Sequence, residues 1–175
     1  MDKNIRRPSN LDWAQKLKYN KSFTAKLALL DDSVKKYYAA LSDKLLSYAK
    51  VRSKVRWQGV SFIAGRTTVA RIHLLGKTLC LYLAADPNAF GGKYRAKDVS
   101  GVKKYGKTPS LFKIKSQGAL NNALKQIDGI ANSLGLQVRS QGDMPQTQLA
   151  DQSFDNLLTR GLIRPVRGEY ADSST

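Results

Sequence analysis

Residues 60–84 decide the fold, and they read VSFIAGRTTVARIHLLGKTLCLYLA. Two glycine-containing turns, Gly65-Arg66 and Gly76-Lys77, divide this stretch into three strand-forming segments, 60–64, 67–75 and 78–84. The third segment is apolar at nearly every position, which is typical of a strand covered on both faces. The stretch therefore predicts consecutive antiparallel strands at the centre of the domain.

A segment of alternating charge precedes these strands. Residues 50–57 read KVRSKVRW, with a basic residue at every second position. Because successive side chains of a strand point to opposite faces, the pattern predicts a cationic row on one face and apolar residues on the other. The alternative is that the preceding helix extends into this segment, in which case no such row forms. The row consists of Lys50, Arg52, Lys54 and Arg56.

Helical patterns flank the strands on both sides. Apolar residues recur at three- and four-residue spacings across 34–49, after a cap at Ser33, and again across 120–134. A shorter helical stripe covers 20–30, and one more strand is predicted over 110–115. The predicted class is α+β: N-terminal helices, an antiparallel sheet of about four to five strands, and a C-terminal helix packed on the sheet.

Composition divides the chain into three parts. Residues 1–19 are polar and basic, which predicts a flexible arm, and residues 20–136 form the α+β domain. Residues 137–175 are predicted to be a mostly flexible tail with a short helix near 151–160. Segments with few apolar residues cannot bury enough surface to offset the entropy of ordering.

Positive charge is concentrated in the first two thirds of the chain. The formal net charge is +17, and residues 1–115 hold 25 basic and 7 acidic residues, whereas 116–175 hold 5 and 6. Such a field favours a polyanionic partner, nucleic acid first and an anionic membrane surface second. A single cysteine, a polar N-terminus and the lack of a long apolar run predict a cytoplasmic protein without a membrane span.

The candidate nucleic-acid contacts are basic residues in strands, in turns and in a long loop over 88–109. Tyr94 and Tyr105 lie among the loop cations, and this mixture suits phosphate contact combined with base stacking. Exposed cations also protect a strand from edge-to-edge association, so the row does not by itself require a ligand. The predicted contact residues are Lys50, Arg52, Lys54, Arg56, Arg66, Lys93, Arg95, Lys103, Lys104 and Lys107.

Residues suited to catalysis or metal binding are scarce. His73 and Cys80 are the single histidine and the single cysteine, whereas a zinc site needs about four ligands. Residues 101–108 match the phosphate-loop pattern G-x-x-x-x-G-K-[ST], but Pro109 stands where a helix must begin. The sequence therefore predicts no catalytic residue, no metal and no cofactor, and nucleotide binding by this loop is a third, weaker hypothesis.

Eight short blocks carry a family resemblance: Lys35–Tyr38, Leu45–Tyr48, Val51–Trp57, Gly76–Ala84, Lys93-Tyr94, Asp98–Ser100, Thr108-Pro109 and Lys113–Ser116. In this order they resemble a family of small basic bacterial proteins, frequent in Gram-positive anaerobes, that has no established function. The resemblance spans about two thirds of the chain, from Tyr19 to Leu134, and implies a single α+β module without assigning an activity. The element order is also similar to that of double-wing α/β domains, some of which are suspected of binding DNA.

Two main hypotheses follow from these patterns. The first is a non-enzymatic nucleic-acid-binding module that contacts mainly the phosphate backbone, of DNA or RNA, with little sequence specificity. The second is a protein-interaction or scaffold module whose basic face meets an acidic protein or a ribosomal surface.

Overall fold

The structure is a computed structural model that describes residues 18–166. Within those residues it contains one large antiparallel sheet, a second sheet of two strands and four α-helices. The elements in chain order are β1 Tyr19–Lys21, α1 Phe23–Ala28, α2 Asp32–Leu46, β2 Val51–Arg56, β3 Gly59–Ala64, β4 Thr67–Leu75, β5 Thr78–Leu83, β6 Lys97–Asp98, β7 Ser110–Ile114, α3 Gln117–Ser133, α4 Phe154–Thr159 and β8 Ile163–Pro165.

The main sheet has the strand order β2-β3-β4-β5-β7-β6, and every neighbouring pair is antiparallel. Strands β2 to β5 follow one another along the chain and are joined by short turns. Gly65 and Gly76 stand in two of these turns with a φ of 60°, a conformation that glycine adopts without strain. The antiparallel α+β class predicted from residues 60–84 is confirmed.

The strand count differs from the prediction. The main sheet has six strands, whereas the sequence predicts four to five. The additional strand, β6, lies inside the segment 88–109, which is predicted to be a loop, and it pairs with β7. Two residues are too few for an alternating pattern, so no local signal marks this strand. The separate sheet formed by β1 and β8 is also not predicted.

Helices α1, α2 and α3 cover one face of the main sheet, here called the inner face. Leu41 of α2 and Ile127 of α3 are buried in one core with Phe62 and Ile72 of the central strands. The apolar stripes predicted for these two helices therefore face the sheet. The helix predicted to pack on the sheet after the strands is α3. The placement of the other helices differs from the prediction, because α2 packs on the same face and the last helix, α4, packs against α1 and β8.

Helix α2 ends at Leu46, so it does not continue into the basic segment. Lys50 follows with a φ of 69°, a left-handed conformation that interrupts both helix and strand, and β2 begins at Val51. The alternating segment is therefore a strand, as predicted, but Lys50 stands in the turn before it. The residue that caps the start of α2 is Asp31 rather than the predicted Ser33.

Arg139, which lies far from α2 in the sequence, caps the C-terminal end of this helix. Its guanidinium donates to the carbonyl oxygens of Leu46 over 2.8 Å and of Val51 over 3.1 Å. The last carbonyl groups of a helix have no partner within the helix, and basic side chains commonly satisfy them. Arg139 therefore links the end of α2 to the start of β2.

The chain after α3 packs on α2 and then forms a second, smaller core. The N–H of Thr147 donates to Asp43 Oδ1 over 2.6 Å. Further along, Leu157 of α4 and Ile163 of β8 are buried together with Ala25 of α1. This second core adjoins the main sheet, because α1 contributes side chains to both cores.

The predicted arm and tail are described only in part. Residues 1–17 of the arm and 167–175 of the tail lie outside the described residues, and the flexibility predicted for both segments stays a prediction. Helix α4 lies within 151–160, the segment for which a short helix is predicted. Between residues 18 and 166, no helix combines the length and the apolar composition that a membrane crossing requires.

Candidate nucleic-acid interface

The face of the main sheet opposite the helices, here called the outer face, carries a cationic row on β2. Arg52, Lys54 and Arg56 alternate along this strand and are all exposed. The opposite side of β2, where apolar residues are predicted, is buried at Val51, whereas Val55 is 60 % exposed. β2 is the edge strand of the sheet, which leaves its cations accessible from the side as well as from the face.

The strand register extends the positive charge from β2 to β4. Lys54 lies opposite Ser61 of β3, and Ser61 lies opposite Arg71 of β4. Cross-strand neighbours share one face of a sheet, so Arg71 belongs to the same outer face as the β2 row. Three adjacent strands therefore contribute to one continuous polar and basic surface.

Gly59 allows the ring of His73 to lie across β3. The two residues are opposite each other in the β3–β4 register. A Cβ atom at position 59 would overlap the His73 ring and the carbonyl oxygen of Ile72. Only glycine permits this close approach of the His73 ring to the β3 backbone.

Residues 99–109 fold over the half of the outer face that belongs to β5 and β7. The Tyr105 ring stacks on the Tyr82 ring, with centroids 4.1 Å apart and an interplanar angle of 7°. Cys80 and Leu111 are buried in the same small apolar cluster. This loop therefore covers one half of the outer face, and the half formed by β2, β3 and β4 stays open.

Three hydrogen bonds hold this loop beside the open half. The Tyr105 hydroxyl lies 3.0 Å from His73 Nδ1, and Arg71 Nη1 donates to the Lys104 carbonyl oxygen over 2.7 Å. The Lys104 ammonium in turn donates to Gln58 Oε1 over 2.6 Å. Lys104 therefore spans the distance from the loop to the turn between β2 and β3.

The loop, β2 and β4 enclose a groove of about 570 Å³, here called the basic groove. This volume lies in the range of sites that hold small molecules. Among the described residues that line it, none is acidic. Its principal polar and aromatic side chains are Arg56, Trp57, Ser61, Arg71, His73 and Lys104.

The cations of the basic groove have no carboxylate partner in the described chain. Ion pairs between residues 18 and 166 involve only Lys35 and Lys44, both on α2. Burial, reinforced by Lys104 and Arg71, lowers the pKa of His73 to about 4, so this ring is neutral at pH 7. Arg71 Nε is buried and has no hydrogen-bond partner among the described residues. The groove is therefore strongly positive.

Trp57 lies at the end of the groove that adjoins the second core. The Arg164 guanidinium stands over its ring, 4.4 Å from the ring centroid, and the indole N–H donates to Asn20 Oδ1 over 3.4 Å. The backbone carbonyl of Trp57 accepts from the N–H of Phe23 over 2.6 Å. Contacts from β1, β8 and α1 therefore fix the position of this aromatic ring.

The structure separates the predicted contact residues into distinct groups. Arg56 and Lys104 line the basic groove, and Arg52 and Lys54 continue the row of Arg56 along β2 on the same outer face. Lys103 and Lys107 are exposed elsewhere on the covering loop. Two residues occupy turns at the opposite end of β2 and β3, and two lie beside β6 and β7 at the far side of the sheet. These four are, in that order, Lys50, Arg66, Lys93 and Arg95.

Both tyrosines that lie among the loop cations already have protein partners. Tyr105 is stacked on Tyr82. The Tyr94 hydroxyl abuts Gly118 at the start of α3, and the Tyr94 carbonyl accepts from Asn122 Nδ2 over 3.3 Å. Neither ring is among the residues that line the basic groove, whereas Trp57 is.

Residues 101–108 lack the geometry of a phosphate loop. A 3-10 turn covers Lys103–Tyr105, and Pro109 leads directly into β7. A phosphate loop presents backbone N–H groups at the N-terminus of an α-helix, and no α-helix starts in this described segment. The structure therefore gives no support to nucleotide binding by this loop.

Sequence reasoning does not select Arg71, Trp57 or Arg164. Arg71 and His73 are alternate residues of β4, which places both on the same face of the strand, and this alternation is a signal that could have identified Arg71. Trp57 directly follows the basic row. Arg164 has no local signal, because only the pairing of β8 with β1 brings it to Trp57.

Comparisons with known proteins add no further constraint on this interface. Protein-family models, curated proteins and solved structures gave no match to the chain. No three His, Cys, Asp or Glu side chains of residues 18–166 lie close enough together to hold a metal ion. The functional proposal therefore rests on the geometry and charge of the outer face.

Proposed function

We propose that this protein is a non-enzymatic nucleic-acid-binding module that uses the open half of its outer face. The observation that carries the proposal is the convergence of Arg52, Lys54, Arg56, Arg71 and Lys104 on that surface without a described carboxylate partner. Contacts would be made mainly to phosphates, and they would confer little sequence specificity.

Electrostatic repulsion among the cations of the open half favours the hypothesis that this surface binds a polyanion over the alternative that it is only solvated. Alternate residues of a strand are about 6.6 Å apart, and neighbouring strands are about 4.8 Å apart. Five cations at such spacings repel one another at low ionic strength, where the Debye length exceeds 10 Å. A chain of phosphates relieves this repulsion at several positions at once and releases counterions, which gives binding its salt dependence.

Binding to oligonucleotides over a range of salt concentrations tests the proposal. We expect log affinity to fall linearly with log salt for duplex and single-stranded polymers. Replacing Arg52, Lys54 and Arg56 by alanine should reduce the steepness of the slope by about 2 to 3, since each phosphate contact contributes about 0.7 to 0.9. The proposal is wrong if the unmodified protein binds neither polymer at about 50 mM salt.

A matched control variant tests whether the location of the cations, rather than the total charge of the protein, determines the salt slope. Lys26, Lys36 and Lys125 are exposed on the helices α1, α2 and α3, so they lie on the opposite layer of the molecule. Replacing these three by alanine removes the same charge as the β2 variant. We expect the control to keep the slope of the unmodified protein, and an equal effect of both variants would show that only the net charge matters.

A second candidate function is protein interaction, favoured by the position of β2 at the edge of the sheet. The carbonyl oxygens of Val51 and Trp57 are occupied by Arg139 and Phe23, whereas Ser53 and Val55 lie exposed between them. An extended acidic segment of a partner could add a strand there and place carboxylates beside the cationic row. Tighter binding to a polyglutamate than to oligonucleotides of equal charge would favour this function over the first.

A further inference from the structure

We infer that the basic groove accepts one unpaired nucleotide of a single strand, with the base against Trp57 and its phosphate at Arg71 and Lys104. The inference rests on the proposed nucleic-acid binding and narrows it to single-stranded DNA or RNA. It adds one specific nucleotide-binding site to the nonspecific phosphate contacts of the β2 row.

The base would occupy the side of Trp57 that faces the groove. Arg164 stacks over the indole ring but is absent from the groove lining, so it covers a part of the ring away from the groove. Trp57 itself lines the groove and is half-buried. A base placed there would lie on a ring that is already immobilised, which limits the entropy cost of stacking.

The phosphate would sit beside Arg71 and Lys104. Arg71 Nη1 is used by the Lys104 carbonyl, while the buried Nε has no partner among the described residues. Arg71 and Lys104 both line the groove, and a phosphate oxygen placed between them would accept charge-assisted hydrogen bonds from their side chains. The Lys104 ammonium is held by the neutral side chain of Gln58, which a phosphate can replace.

The walls of the groove favour an unpaired nucleotide over a duplex. The groove is bounded by the loop at Lys104 on one side and by Trp57 at its end, within about 570 Å³. Bases in a duplex are stacked on their neighbours and cannot present a face to Trp57 without being extruded. A single strand can place one base there at little cost, as in other single-strand sites with aromatic side chains.

The test compares a single-stranded oligonucleotide of about 12 residues with the corresponding duplex at one salt concentration. We expect Trp57→Ala to lower affinity for the single strand about tenfold or more and to leave duplex affinity unchanged. The triple alanine variant of the β2 row should lower both affinities. A Trp57→Phe variant retains a stacking ring and should restore most of the single-strand affinity.

A second variant keeps the test valid if Trp57→Ala does not fold. Arg71→Lys preserves the charge but cannot offer the planar guanidinium donors, so single-strand affinity should fall while the salt slope stays the same. In a Trp13→Phe background, Trp57 is the single tryptophan, and its fluorescence should be quenched by single strands and not by duplex.

The outcomes distinguish this inference from the proposed function. If the unmodified protein binds neither polymer, both are overturned. If it binds both and the Trp57 and Arg71 variants change the two affinities equally or not at all, only the inference is overturned. Equal quenching of Trp57 by polyglutamate and by a single strand would likewise overturn it, because the groove would then respond to charge alone.

Discussion

Gly59 sets the distance between β3 and the ring of His73. We predict that Gly59→Ala destabilises the protein by about 1–3 kcal/mol, because the added Cβ would overlap the ring and the Ile72 carbonyl. Urea unfolding monitored by circular dichroism measures this change. The same variant should weaken oligonucleotide binding, since the displaced ring would fill part of the basic groove.

The control for this substitution is Gly129→Ala. Gly129 lies in the interior of α3, and a Cβ there meets no atom within 4 Å. Alanine should therefore stabilise the protein by about 0.5–1 kcal/mol through the higher helix propensity. An equal loss of stability in both variants would contradict the role assigned to the close approach at Gly59.

His73 offers a direct measure of the electrostatics of the groove. Burial, with Lys104 and Arg71, lowers its pKa to about 4, whereas the unfolded chain has a value of about 6.5. Between these values the unfolded chain binds more protons, so the free energy of unfolding should decrease as the pH falls from about 6.5 to about 4. Above pH 6.5 this contribution to stability is fully present.

Nuclear magnetic resonance can follow this titration because the chain has a single histidine. We expect the ring signals to titrate near pH 4 in the folded protein and near pH 6.5 in urea. Lys104→Gln should raise the folded value, by removing a neighbouring cation, but not fully, since burial is the largest cause. A folded midpoint near 6.5 would contradict the buried position of the ring.

At the scale of single residues, the sequence indicates which side chains alternate but not the register in which the strands pair. The placement of Arg52, Lys54 and Arg56 on one face follows from period-two spacing. Their proximity to Arg71 depends on the β2–β3–β4 register, which includes an irregularity between Phe62 and Ile63. No local pattern encodes such a register. The β2 row was predictable because it depends only on spacing within one strand, whereas the groove was not, because it depends on the register of three strands.

At the scale of elements, α2 and β2 are joined through a residue distant in sequence. We predict that Arg139→Met lowers the free energy of unfolding by about 2–4 kcal/mol, because the carbonyl oxygens of Leu46 and Val51 lose a charged donor. Arg139→Lys should be intermediate, since an ammonium lacks the planar fork. Urea unfolding measures both variants.

Arg160→Met is the matched control for Arg139. The Arg160 guanidinium is exposed and bonds the side chain of Gln152. Exposed polar contacts contribute little, so we expect a change below about 1 kcal/mol. Equal losses from the two substitutions would refute a structural role for Arg139 at the end of α2.

The same contact explains why the end of α2 could not be predicted. Val51 and Val55 continue the apolar spacing of the helix, so periodicity alone permits a longer helix. The structure stops it at Leu46, where Arg139 satisfies the terminal carbonyl from across the fold. Long, periodic segments such as α3 and the strands of 60–84 were predictable, because their signal is local.

At the scale of the whole molecule, two cores of different size share α1. We predict that Leu157→Ala, at a fully buried position of the smaller core, costs about 2–4 kcal/mol in local stability. Hydrogen exchange should become faster for the amides of β1, β8 and α4, while β4 and β5 keep their protection. The two cores would be one cooperative unit if all of these amides were affected equally.

Leu158→Ala is the control, because Leu158 is the neighbouring residue and is 37 % exposed. We expect a change of less than about 1 kcal/mol and unchanged exchange in β1 and β8. The smaller core was not predictable as a unit, since its parts are separated by more than a hundred residues. Its aromatic contact between Tyr19 and Phe154, with ring centroids 5.2 Å apart, joins two residues that are far apart in the sequence.

The position of β2 at the sheet edge has a consequence for self-association. The cations of this edge would repel the same edge of a second copy and so disfavour strand pairing between molecules. If nucleic acid binds as proposed, neutralising Arg52, Lys54 and Arg56 would remove that repulsion, and one polymer would hold several copies. Assembly of the protein would then depend on how fully the polymer is loaded. It would be suppressed in the free protein and again when excess polymer spaces the copies apart.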